Sequence, residues 1–374
     1  MLTARGYASR PGTVVHPTGH RAEARSGPAG HNGPVTELAQ PSAATSSVPT
    51  VGSPSDAAFA DLERFRVELT AYCYRMLGAA FEAEDAVQET FIRAWRGLAS
   101  FEGRASIRSW LYRIATNVCL DMLGASQRRA RPVDLNPALS ADAPLDAGLP
   151  GTAWIEPVPD GRVVSGSGDP ADVAVARESI RLAFVAALQN LPPRQRAVLI
   201  LREVLHWRAD EVAELLETTV ASVNSALQRA RATLGSRNLD AAEPAPPLDD
   251  AKQALLDRYV QAFESYDMSA LTSLLREDAE WSMPPYELWL QTHDDIVKWC
   301  LGPGSGCRDS RLIPTSANGM PAFGQYKPDP AGGWAPWSLQ VVDLEPDGSS
   351  IRAITFFLDT PRFFPLFGLP PRLD

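Results

Sequence analysis

Two blocks of helical periodicity, held apart by a stretch that cannot continue a helix, limit this chain more than any other feature. Between Ala57 and Arg131 apolar residues recur at spacings of three and four. They run Leu62, Phe65, Leu69, Tyr72, Cys73 and Met76, then Val87, Phe91, Trp95 and Leu98, then Ile107, Leu111, Ile114, Val118 and Met122. That spacing lays an apolar stripe along each of several amphipathic helices. Gly78 closes the first helix and Ser106 caps the last. The period returns between Ala171 and Leu234, while residues 132–170 are rich in Pro, Gly and acids and read as a flexible linker. Two all-α units follow, at 56–131 and 171–238.

The second block contains a break of a particular kind. Asp210 to Leu216 forms a short helix with Val212, Ala213, Leu215 and Leu216 inward; Glu217, Thr218 and Thr219 make a turn; Val220 to Leu234 forms a longer helix. On the longer helix Val223, Leu227, Ala230 and Leu234 face inward. Ser222, Asn224, Ser225, Gln228, Arg229 and Arg231 face outward. Short hydrogen-bonding side chains near a helix start can approach base edges, and arginines further along suit phosphates or guanine. A small protein-binding bundle has the same periodicity, so the pattern alone leaves both readings open.

In the first block the helix after Ser106 shows Arg108, Tyr112, Arg113 and Asn117 on its polar side, next to the loop from Phe101 through Arg104 to Ser106. Cations for phosphates and rings for unstacked bases are what a single strand of DNA requires. A solvated face of a bundle would look similar. The helix before it presents Asp85, Ala86, Val87, Gln88 and Glu89 as an acidic outer surface.

Charge decides how such a chain meets a polyanion. The net charge is −10, so any contact with nucleic acid is local. Val220 to Arg237 holds Arg229, Arg231 and Arg237 with no acid. Between Pro132 and Ala176 stand Asp134, Asp142, Asp146, Glu156, Asp160, Asp169 and Asp172 against Arg162 alone. The four cysteines, Cys73, Cys119, Cys300 and Cys307, have no metal-ligand spacing, and no metal or cofactor is expected. No apolar run reaches membrane-spanning length and no signal peptide opens the chain, so a cytoplasmic location without a membrane partner is expected. Residues 1–55 lack the apolar content to offset their ordering entropy and are expected to be disordered.

After a Pro-rich hinge at 239–250 the pattern changes to α+β. Helices at Ala251 to Tyr266 and Met268 to Arg276 lead to strands at Trp334 to Leu344 and Ser350 to Leu358, joined by the hairpin signal Glu345-Pro346-Asp347-Gly348. Trp281, Met283, Tyr286, Trp289, Trp337 and Phe356 are candidate lining for a cavity in residues 251–374, with His293 or Asp343 as polar contacts. No carboxylate can be paired with a Tyr over that cavity by spacing, so no catalytic residue is assigned and the chain is not expected to be an enzyme.

Residues 60 to 131 resemble region two of sigma-70 factors of the extracytoplasmic-function type. The matching stretches are Ala83-Glu84-Asp85-Ala86-Val87-Gln88-Glu89-Thr90-Phe91 and Arg108-Ser109-Trp110-Leu111-Tyr112-Arg113-Ile114-Ala115-Thr116-Asn117. Leu191-Pro192-Pro193-Arg194-Gln195-Arg196 through Arg229-Ala230-Arg231 resembles region four of the same family. The resemblance implies that Asp85, Ala86, Val87 and Gln88 dock on the largest-subunit coiled coil of RNA polymerase core and that region four meets its flap. It implies that Phe101, Arg104, Ser106, Arg108, Tyr112, Arg113 and Asn117 handle the minus-ten element. There the loop and Asn117 capture a flipped base, and the helix-turn-helix reads the minus-thirty-five duplex. Glu217 stands where the family turn usually has Gly, and Ala226 where Arg is common; both bear on the promoter sequence rather than on the binding class. Leu256 to Phe263, Leu275 to Ala279 and Trp281 to Pro285 are similar to the SnoaL-like, ketosteroid-isomerase-like cone, which a sigma-G-like subgroup carries. The partners implied are RNA polymerase core and promoter DNA, with a small ligand or an anti-sigma factor as regulator.

Two other readings compete. A one-component regulator binding duplex DNA alone, with a ligand-binding C-terminal domain, has no need of the Asp85 to Trp95 block. An isomerase carrying a DNA-binding tag lacks an assignable acid and base.

Overall fold

The computed structural model describes residues 62–103, 105–124, 128–145, 147–165, 170–235 and 248–374. The extension expected at 1–55 and most of the hinge at 239–250 lie outside them. The first helical unit is α1 (Arg66–Leu77), α2 (Ala80–Gly97) and α3 (Ile107–Leu123). Gly78 ends α1 in the left-handed region at φ 73°, its N–H returning to the Tyr74 carbonyl. The Ser106 side chain accepts from the Ser109 N–H at 3.0 Å and starts α3. Inside the bundle Tyr72 Oη and Thr116 Oγ1 lie 2.7 Å apart, a buried hydrogen bond tying α1 to α3.

The second unit is α4 (Pro170–Glu178), α5 (Leu182–Leu188), α6 (Pro193–Leu199), α7 (Ala209–Leu215) and α8 (Val220–Gly235). Pro193 occupies the first turn of α6, where its missing N–H costs nothing. The segment expected as a flexible linker, 132–170, is instead docked on its neighbours at several points within residues 132–145 and 147–165. Trp154, Ile155, Val158 and Val163 are buried, the Glu156 N–H reaches the Gly78 carbonyl at 3.0 Å, and Arg129 donates to the carbonyls of Gly151 (3.1 Å) and Trp154 (2.8 Å) and to Glu82 (2.5 Å). Four apolar residues without helical period carry this docking. Period-based reading therefore passes over it.

The C-terminal unit sets α9 (Asp250–Glu264), α10 (Met268–Ser273) and α11 (His293–Leu301) on a six-stranded sheet. Its strands are β1 (Leu275–Ser282), β2 (Trp289–Leu290), β3 (Arg311–Ala317), β4 (Met320–Pro328), β5 (Trp334–Leu344) and β6 (Ile351–Phe357). The order is β2-β1-β6-β5-β4-β3, with β1 and β6 parallel and the other neighbours antiparallel. The fold class read from the sequence holds: two all-α units, then an α+β cone. One sheet face, with Phe323, Val342, Ile354 and Phe356, packs under Leu255, Tyr259 and Phe263 of α9. The other face, with Ala322, Tyr326, Leu339, Val341 and Phe357, joins a single apolar core that runs through both helical units. α12 (Thr360–Leu366) packs on this second face. Covering both faces explains why β5 is buried at five successive positions from Ser338 to Val342 instead of alternating.

Candidate nucleic-acid interface

The helix-turn-helix forms as its periodicity predicts. Val223, Leu227 and Ala230 are buried against α7 and α6, and Ser222, Asn224, Ser225, Gln228, Arg229 and Arg231 are all exposed. Thr219 Oγ1 accepts from the Ser222 N–H at 3.1 Å and caps α8. Arg231 pairs with Glu203 at 2.7 Å on the surface, which leaves Arg229 the less committed cation. In the turn Glu217 adopts φ 51°. This is the left-handed conformation that glycine enters freely and that costs other residues about 1–2 kcal/mol, so the unusual residue here sits under backbone strain. Its carboxylate pairs with Arg113 of α3.

That pairing shows where α3 lies. Asn117 and Ser106 are exposed, and Arg113 is half-buried. Phe101 is half-buried with its ring 4.8 Å from that of Trp110. Arg104 lies outside the described residues. Arg108 donates to Glu68 at 2.8 Å and its guanidinium stands 5.4 Å from the Trp207 ring. Tyr112 corrects the sequence reading: it is buried, not outward. Its ring is 5.2 Å from Tyr72 and 5.1 Å from Trp207, and its hydroxyl donates to Glu68 at 3.3 Å. Burial, reinforced by the Glu68 carboxylate, raises the phenol far above its ordinary range. Tyr112 lies beside the apolar stripe, and the second helical unit covers it.

On α2 the expected docking surface is half as wide as the sequence suggests. Asp85 and Gln88 are exposed, but Ala86 and Val87 are buried in the bundle. A rotation of 100° per residue cannot keep four successive side chains in water.

Three residues that sequence reasoning passed over hold the units together. Arg75 is buried and donates to Ser179 Oγ at 2.6 Å and to the Ala176 carbonyl at 3.5 Å. Arg196 donates to the Met76 carbonyl, to Gln189 Oε1 at 2.6 Å and to the Leu191 carbonyl at 3.2 Å. Neither has a carboxylate partner among the described residues, and burial pushes each guanidinium down to about 10. The third is Asn318, which with Gly319 forms the β3–β4 turn at φ 57° and 72°. An Asn-Gly pair is a strong hairpin signal, and it was legible in the sequence. What the signal does not tell is that the Asn318 amide bonds to Tyr74, Ile180 and Val158 at once.

The candidate pocket residues do not share a cavity. The Trp281 and Phe356 rings pack at 4.6 Å, tilted, within the core. The Trp289 indole N–H donates to the Asn136 carbonyl at 2.8 Å. Trp337 is exposed beneath Lys327, and Met283 and Tyr286 lie at the core margin. Large side chains fill the cone rather than line a void. Its centre is a buried chain of neutral groups, Tyr259 Oη to Gln340 (2.5 Å), Gln340 to Gln325 (3.0 Å) and Gln325 to Ser310 (3.0 Å), with no carboxylate in it. Of the suggested polar contacts, Asp343 pairs with Arg181 and Arg352, and His293 bonds the Arg276 carbonyl at 2.9 Å. A cleft of about 900 Å³ does exist, between Lys252, Leu256 and Val260 of α9, Leu312 and Phe323 of the sheet and Val173 and Arg177 of α4. None of the six predicted residues borders it.

Among the described residues no helix is long and apolar enough to cross a membrane, and no group of His, Cys, Asp and Glu is placed to hold a metal ion. Residues 62–129 match the family Sigma-70 region 2, and residues 181–234 match Sigma-70, region 4. The chain is 45% identical over 322 residues to the ECF RNA polymerase sigma factor SigG of Mycobacterium tuberculosis, covering 84% of each. It is 32% identical over 178 residues to the ECF RNA polymerase sigma factor SigW of Bacillus subtilis, covering 47% of this chain and 87% of SigW. The crystal structure of the extracytoplasmic function sigma factor SigJ of M. tuberculosis matches at a TM-score of 0.55 and 24% identity, over 83% of this chain and 99% of SigJ. That likeness is one of fold.

Proposed function

Because this chain belongs to the extracytoplasmic-function sigma factors of the sigma-70 family, we propose the following division of labour among its surfaces. The chain is a promoter-recognising transcription initiation factor that works with RNA polymerase, and its task is binding rather than catalysis. Asp85 and Gln88 on α2 meet the largest-subunit coiled coil of the polymerase, with Ala86 and Val87 setting the helix from beneath. The second helical unit meets the flap. Ser222, Asn224, Ser225 and Gln228 of α8 approach base edges of the minus-thirty-five duplex, with Arg229 and Arg231 on guanine or phosphate. Asn117 and the loop from Phe101 to Ser106 hold a base extruded from the minus-ten element. Extrusion costs a few kcal/mol of stacking, which these contacts offset. The C-terminal unit modulates activity through its contacts with both helical units.

The observation that carries this reading is the outward set on α8: all six polar residues expected to read DNA are exposed on one helix while Val223, Leu227 and Ala230 are buried. The test adds purified chain to core RNA polymerase and maps transcript starts on a promoter library. Starts at defined positions are expected. Duplex binding by the chain alone, with no core association, would favour a one-component regulator instead. Within this reading Arg229→Ala should weaken upstream duplex binding across sequences and reduce its log–log salt slope by about one, measured by anisotropy titrations at several salt concentrations. An unchanged slope would remove Arg229 from the phosphate contacts.

A further inference from the structure

We propose that the second helical unit carries a nucleotide mimic: the Trp207 indole and the Glu217 carboxylate occupy on α3 the places a base and a phosphate of the melted strand would take. The inference rests on the reading that α3 receives the minus-ten strand. Trp207 is 6% exposed, with its ring 5.1 Å from Tyr112 and under the Arg108 guanidinium at 5.4 Å. The same guanidinium stands 5.1 Å from the Tyr112 ring, and a flat apolar ring beside an aromatic side chain and a cation is what an unstacked base also uses. The indole Nε1 has no hydrogen-bond partner among the described residues, and the ring meets that of Tyr112 at a tilt of 56°, so ring contact rather than a hydrogen bond seats it. On the same helix Arg113 holds the Glu217 carboxylate, an anion where a strand would offer a phosphate.

Both mimics flank α7, and each is presented through a strained residue. His206, next to Trp207, has φ 55°, and Glu217 itself has φ 51°. These are the two left-handed residues other than glycine among the described residues of the helical units, and they fix the directions in which Trp207 and Glu217 leave the ends of α7. Meanwhile the polar face of α8 stays in water. The closed chain can therefore meet duplex while its single-strand surface is occupied, and its apparent affinity for single strands falls by the fraction that is open.

The test measures anisotropy of a labelled single-stranded DNA of about 12 nucleotides with the full free chain. The double variant Trp207→Ala, Glu217→Ala should bind it about tenfold or more tightly than the native chain. Trp207→Phe, which keeps a ring, should stay near native, and adding Arg108→Ala and Arg113→Ala to the double variant should abolish the gain. Glu217→Gln, a surface change that leaves the fold intact, should tighten single-strand binding about two- to fivefold. Unchanged single-strand affinity in Glu217→Gln and in the folded double variant would overturn the proposal, as would a gain that survives loss of Arg108 and Arg113. The two readings fail differently. Promoter-specific transcription with core polymerase alongside unchanged single-strand affinity defeats the mimic alone, whereas absent transcription from the native chain defeats the proposed function.

Discussion

Replacing Asn318 by alanine is expected to lower the stability of the folded chain by about 3 kcal/mol or more. The side chain is fully buried. Its Nδ2 donates to Tyr74 Oη at 2.6 Å and to the Ile180 carbonyl at 2.8 Å, and its Oδ1 accepts the Val158 N–H at 3.0 Å. One amide thus joins α1, the start of the second helical unit and the segment between them to the β3–β4 turn. Alanine would leave a buried N–H without an acceptor and a carbonyl without this donor, each costing about 1–3 kcal/mol. It would also lose the tolerance of asparagine for the left-handed conformation. Aspartate should be worse than alanine, since it turns the donating edge into an acceptor facing the Ile180 carbonyl and buries a charge. Urea unfolding would measure the loss, and hydrogen exchange at the Val158 amide would localise it. A loss below about 1 kcal/mol would mean that the Asn318 amide adds little to the joining of the units.

Asn117→Ala should slow promoter opening by roughly tenfold or more while leaving polymerase association nearly unchanged, since a good bidentate contact to a base contributes about 1–3 kcal/mol. Asn117 is exposed on α3, one turn beyond Arg113. Alanine favours the helix at that position, so the fold should not suffer. Fluorescence of a reporter base placed in the minus-ten element would follow opening, and a core-binding titration would run in parallel. Equal losses in both measurements would show that Asn117 serves docking rather than strand capture.

Both variants bear on how much was readable before the fold was known. Every outward residue on α8 was legible because it depends on helical period and on the stop at Glu217, which are local properties. The burial of Val87 follows from its place in the apolar stripe, and that of Ala86 was legible too from the rotation per residue along that four-residue surface. Tyr112 was not. It borders the apolar stripe, and whether it meets water depends on Trp207, far along the chain, lying against it. The packed segment around Trp154 to Val163 escaped for a related reason, since a few apolar residues in extended backbone leave no periodic trace.

Local spacing of apolar and polar side chains, acting over a few residues, was enough to determine two helical units, a helix-turn-helix with its polar face and a C-terminal α+β unit. Which of the faces of the first helical unit stay in water was decided only by tertiary structure. The Asn318 side chain meets partners 138, 160 and 244 positions away, and the cost of burying a guanidinium such as Arg75 or an amide such as Asn318 is offset only when distant chain segments arrive together with matching acceptors.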